Sequence, residues 1–66
     1  MPFVSIRILN EHLQERKDEI SQRVTEAISD VTKLPKDAIW VVFEEITNED
    51  WFVGGKTVKA IRSENG

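Results

Sequence analysis

Ala38-Ile39-Trp40-Val41-Val42-Phe43-Glu44 carries apolar side chains on both parities. Alternate residues of a β-strand face opposite sides. This stretch therefore predicts an inner strand whose two faces are both covered. A single helix can cover only one face of so small a sheet, so the other face calls for a second copy of the chain. Upstream, Pro35 and the residue before it close whatever helix precedes the strand.

That helix is expected from Leu13 to about Thr32. Leu13, Ile20, Val24, Ala27, Ile28 and Val31 recur as one apolar stripe at helical spacing. Polar residues from Gln14 to Glu26 cover the other faces, and Glu19-Arg23 has the favourable order of charges. The helix start is weakly marked. Asn10 is chemically the best cap, and His12 with Glu15 three residues on imitates a capping box loosely. Further upstream, Phe3-Val4-Ser5-Ile6-Arg7-Ile8-Leu9 alternates and is rich in β-branched residues, which predicts a strand. Val4, Ile6 and Ile8 form its apolar face; Phe3, Ser5, Arg7 and Leu9 form a mixed one. Asn10-Glu11-His12 is the connection.

Strand, helix, strand with a crossover of about thirty residues is a βαβ unit with parallel main strands and a right-handed connection. The fold class is α/β, completed by oligomerisation. Downstream, Thr47-Asn48-Glu49-Asp50 reads as a turn. Trp51-Phe52-Val53 with Gly54-Gly55 reads as a short hairpin, because paired glycines permit positive φ. Lys56 to Ile61, with Val58 and Ile61 as its main apolar anchors, is expected to be a short strand or arm. The domain is expected over residues 2–62, with 63–66 a flexible tail.

The chain has 66 residues and leaves no room for a second domain. Folding at this mass hides about 60% of the unfolded surface, roughly 6,700 Å². With about 60% of that apolar, burial contributes on the order of 100 kcal/mol. Ordering the chain at about 1.5 kcal/mol per residue costs nearly the same. A lone monomer is marginal, and self-association is the remedy the composition leaves open. There are no cysteines and one histidine, so disulfides, thiolate zinc sites and histidine clusters are not expected, nor is any other metal site. Nine Lys and Arg against twelve Asp and Glu give a net charge of -3, which argues against nucleic acid as a partner. No apolar run has transmembrane length, and the N-terminus lacks the features of a signal peptide. A cytoplasmic protein with no membrane partner is the expectation. No glycine-rich loop follows the first strand, which removes the dinucleotide-binding version of the βαβ unit.

Pro2 is the candidate for chemistry. A small residue behind Met1 favours removal of Met1, which leaves a secondary amine at the head of a strand. As a neutral base, that amine can take a proton from carbon beside a carbonyl and return it elsewhere. Burial against Trp51, Phe52 or a partner chain, or a nearby cation, favours the neutral form. While Met1 is attached, the Pro2 nitrogen is an amide with no basic lone pair. An ordinary edge-strand proline is the alternative reading.

Four segments carry a family likeness: Pro2 to Leu9, Gln22 to Ser29, Val42-Phe43-Glu44-Glu45 and Val53-Gly54-Gly55-Lys56. Taken in order and spacing, from Pro2 to about Arg62, they make the chain resemble the 4-oxalocrotonate tautomerase family. The resemblance implies the β-α-β fold, a hexamer built from dimers and no cofactor. It also implies a small carboxylate or enol substrate, with Pro2 as general base in keto-enol tautomerisation of 2-oxo acids. Two arginines of the family are matched here by His12 and Trp40, and an aromatic before the glycine pair by Trp51. A guanidinium is a fixed charge with a rigid fork of donors. Imidazole is only partly charged near neutral pH and indole carries no charge, so a diacid substrate is disfavoured against a monoacid or an aryl-pyruvate-like enol. His12, Trp40 and Trp51 are the candidate pocket residues. Arg7, Lys56, Lys59 and Arg62 are candidates for a replacement cation, and Arg62 matches a basic family position. A noncatalytic oligomeric or small-molecule-binding protein on the same scaffold is the competing reading.

Overall fold

The computed structural model describes residues 1–65. Strand β1 (Phe3–Leu9) leads through a short loop to helix α1 (Gln14–Thr32), a 3-10 turn (Lys36–Ala38) and strand β2 (Trp40–Ile46). β1 and β2 pair in parallel, with Phe3 opposite Trp40 and Leu9 opposite Ile46. The second strand begins two residues later than its apolar run because Pro35 starts a tight turn. Ala38 N donates to Pro35 O (3.1 Å) and Ile39 N to Lys36 O (3.1 Å). Pairing with Ile8 and Leu9 then carries the strand through Glu45 and Ile46.

The pleat sorts the two strands together, since parallel partners share a face. Val4, Ile6 and Ile8 lie half-buried beside Val41 and Phe43 on the side covered by α1. Phe3, Ser5 and Arg7 lie exposed beside Trp40, Val42 and Glu44 on the other side. β2 is thus covered on one face within the chain, while Trp40 and Val42 on the open face remain 54% and 44% exposed.

The helix begins at Gln14, and its cap is the Leu13 backbone rather than Asn10 or His12. Leu13 O accepts from Arg16 N (3.0 Å), and no side chain caps the start. At the other end Lys33 takes the left-handed conformation (φ 66°), its N–H donating to Ser29 O at 2.8 Å. Residues Lys17, Ser21, Val24, Thr25 and Ile28 are half-buried. Leu13, Ile20, Ala27 and Val31 stay exposed, Val31 at 82%. At about 100° per residue, the half-buried face is rotated by roughly 60° from the centre of the apolar stripe. The reason is visible at Lys17, whose ammonium pairs with Glu45 on the covered side of the sheet. The apolar stripe is wider than one two-stranded sheet can bury.

The C-terminal part departs from the expected strand or arm. β3 (Phe52–Val53) and β4 (Lys56–Thr57) form the expected antiparallel hairpin, closed by Gly54 and Gly55 at φ 60° and 84°. Helix α2 (Val58–Asn65) follows at once. Thr57 Oγ1 accepts from Ala60 N at 3.1 Å, the geometry of an N-cap, and Val58 and Ile61 are spaced for one helix face. The expected tail from Ser63 is therefore helical through Asn65, and Gly66 lies outside the described residues.

The molecule extends 46 × 23 × 15 Å with a radius of gyration of 15.4 Å, against about 11 Å for a compact chain of this length. It exposes 5149 Å², against about 4,300 Å² for a compact monomer of this mass. Ile39, at 8% exposure, is the only buried apolar residue among the described residues.

Candidate active site

Pro2 sits one residue before β1, and its carbonyl accepts from Trp40 N at 3.1 Å. The parallel ladder thus continues past Phe3 and fixes the proline backbone at the N-terminal edge of the sheet. Pro2 is half-buried and Met1 is exposed. Phe3 and Trp40 stand opposite each other on the open face, one residue from the proline ring. The structure therefore brings together Pro2 and Trp40 of the candidate residues.

His12 and Trp51 lie elsewhere. β1 alone spans about 20 Å at the usual rise per residue, and His12 follows its far end. Parallel strands finish on the same side, so the loop after β2 that carries Trp51 also lies at that far end. Asn10 N donates to Ile46 O at 3.0 Å there. Within one chain, neither His12 nor Trp51 can share a pocket with Pro2, and Trp51 cannot shield its own chain's proline. Parallel pairing with similar strand lengths was the sequence signal for this separation.

The far end is densely charged. Arg62 of α2 donates twice to the Glu11 carboxylate, at 2.6 and 3.0 Å, and ties the C-terminal helix to the β1–α1 loop. This hydrogen bond holds the Glu11 carboxyl below its ordinary range, with Arg62 and His12 adding favourable charge. The same contact raises Arg62 above the usual guanidinium value. Three of the candidate replacement cations are thereby engaged: Arg62 with Glu11, Arg7 with Glu44 (3.1 Å) and Lys56 with Glu64 (3.1 Å). Lys59 has no carboxylate partner among the described residues, and it is exposed on α2.

Arg16, absent from the sequence-derived candidates, is the only one of the four arginines without a carboxylate partner among the described residues. Its guanidinium nitrogen lies 3.4 Å from His12 Nδ1. Both line an open groove of about 440 Å³ on the first half of α1, with Glu15, Glu19, Ile20 and Arg23. The signal available in the sequence was the i,i+4 spacing of His12 and Arg16. No group of three His, Cys, Asp or Glu among the described residues is arranged to hold a metal ion, and no helix there is long and apolar enough to cross a membrane.

Residues 2–61 match the family model described as Tautomerase enzyme. The chain belongs to the tautomerase family. Two curated tautomerase relatives show the same extent of likeness. A probable tautomerase of Bacillus cereus is 36% identical over 56 residues, covering 85% of this chain and 92% of that protein. One of Listeria monocytogenes is 40% identical over 55 residues, covering 83% and 90%. Among solved structures, TomN, a 4-oxalocrotonate tautomerase homologue in the tomaymycin biosynthetic pathway, superposes with a TM-score of 0.94. It is 26% identical, and the match covers 98% of this chain and all of that one. A 4-oxalocrotonate tautomerase isozyme of Methylibium petroleiphilum gives 0.86 at 28% identity, covering 91% and 97%. The expected βαβ unit with parallel main strands is the tautomerase fold, and the protein is an isomerase of the tautomerase class.

Proposed function

We propose that the mature protein moves a proton within small 2-oxo acids and their enols, with the amine of Pro2 as general base and no cofactor. The observation that carries this reading is the anchoring of Pro2. Its carbonyl is tied to the Trp40 backbone at the sheet edge, so a freed nitrogen would be held in place at that edge. For an arylenolpyruvate, the neutral amine accepts the enol proton. The resulting enolate takes a proton at C3 from the ammonium, and the carbonyl forms as the amine is regenerated. No electrons leave the substrate and no co-reactant is consumed. Trp40 offers an apolar wall and no charge, which suits an aryl group better than a second carboxylate.

The pocket on this reading is completed by another copy. The candidate residues His12 and Trp51 lie at the end of the sheet opposite Pro2. The isolated chain also exposes about 850 Å² more than a compact monomer, close to the roughly 800 Å² that each partner buries in a standard interface. A homo-oligomer, with six chains as the expected number, supplies both the missing cover and the missing residues.

Intact mass and turnover of phenylenolpyruvate test the mechanism together. The active protein should lack Met1, and Pro2→Ala should lower kcat/KM by about 10²-fold or more. Full activity in protein that retains Met1, or in the alanine variant, would overturn it.

A further inference from the structure

We propose that Arg16 is the substrate-carboxylate cation of this tautomerase, acting with His12 on a substrate whose reacting atoms lie at Pro2 of another copy; this rests on the function proposed above. Arg7, Arg23 and Arg62 each spend their charge on a glutamate, and Arg16 does not. Its contact with His12 leaves other guanidinium donors for a ligand. If His12 Nδ1 accepts from Arg16, its Nε2 carries a proton and becomes a second donor. A carboxylate bridging these donors would receive charge-assisted hydrogen bonds from two side chains four residues apart, one in the β1–α1 loop and one in the first turn of α1.

The rest of the groove sets the substrate class. Glu19 is neutralised by Arg23 one turn away, which leaves the charges of Glu15 and Arg16 facing the groove beside His12. Such a lining accepts one carboxylate and repels a second. Ile20, part of the exposed apolar edge of α1, offers a surface to the hydrocarbon part of the ligand. The substrate is accordingly a monocarboxylate with an apolar body. Because β1 separates this groove from its own chain's Pro2 by about 20 Å, the base must come from a neighbouring chain.

Phenylenolpyruvate and its methyl ester separate charge recognition from a structural role. Arg16→Gln should raise KM for the acid by about 10- to 100-fold, the range for losing a hydrogen bond to a charged group. It should leave kcat/KM for the ester within threefold. Arg16→Lys should recover part of the loss, since it restores the charge without the fork. Sedimentation of both variants checks that assembly is retained. Equal losses on acid and ester, or no loss on either, overturn the proposal. Mixing Pro2→Ala with Arg16→Gln chains tests the shared site. A one-to-one assembly should regain about a quarter of native sites, whereas sites built within one chain regain none and would overturn the placement in a neighbouring copy. If the wild-type protein turns over neither compound, the proposed function fails while the cation assignment stays testable. 3-Phenylpropionate should then shift the ring signals of His12, the only histidine, with binding at least tenfold weaker in Arg16→Gln. Undiminished binding by that variant, or no binding by the wild type, overturns the assignment.

Discussion

Val42→Lys places an ammonium at the centre of the open sheet face, opposite Ser5 and two residues from Glu44 on the same side. In an isolated chain this position is 44% exposed. A lysine stem could lie along the surface there, with a stability change within about 0.5 kcal/mol. The outcome differs if another copy covers this face. An ammonium with no partner across the interface would then be buried at a cost of about 3–5 kcal/mol per chain, or roughly 10²- to 4 × 10³-fold in the association constant. Since burial and ordering nearly cancel for a chain this small, lost association should also lower the melting temperature and make it strongly dependent on concentration. Val42→Thr keeps the β-branched shape and serves as the control for strand propensity. Sedimentation velocity gives the assembled fraction, and circular dichroism melts at several dilutions give the stability. A Val42→Lys protein that sediments and melts like the wild type would refute the view that this face is covered.

Two further outcomes follow from local geometry. Lys33→Gly should stabilise the chain by about 0.5–1 kcal/mol, because Lys33 ends α1 at φ 66°, where a Cβ is unfavourable and glycine is not; an unchanged urea midpoint would count against that strain. Glu11 has a depressed carboxyl, so its link to α2 is complete above the ordinary carboxylate range and is lost as pH falls through the lowered value, beneath 4.5. Carbon-detected NMR should place the Glu11 titration below 4.5 in the wild type and move it toward the ordinary value in Arg62→Gln, with faster amide exchange in α2. A wild-type titration at or above the ordinary value would contradict the clamp.

The contrast between α1 and α2 shows what kind of information lay in the residues. Nineteen residues of helix with apolar groups at repeated spacing left an unmistakable period. Eight residues with Val58 and Ile61 as anchors did not, and the decisive contact was one hydroxyl of Thr57 capping Ala60. Pro2 could be named as a candidate from the residues alone, because an amine behind a removable methionine is a local chemical property. Arg16 could not be singled out that way, because the proposal for it rests on the carboxylates that occupy the other arginines, and those pairs join residues as distant as Glu11 and Arg62.

The sequence by itself determined the βαβ order, the hairpin at Gly54-Gly55 and the excess of apolar surface over what one helix and two strands can hide. These are short-range properties: side-chain period, turn chemistry and composition. Only the tertiary structure decided the roll of α1, which Lys17 and Glu45 bias away from the centre of its apolar stripe. It alone showed that Arg16 lies beside His12, at the end of the sheet opposite Pro2 and Trp40. The register that pairs Phe3 with Trp40 and the contacts across the helix depend on packing between distant segments, and local residue preferences do not specify that packing.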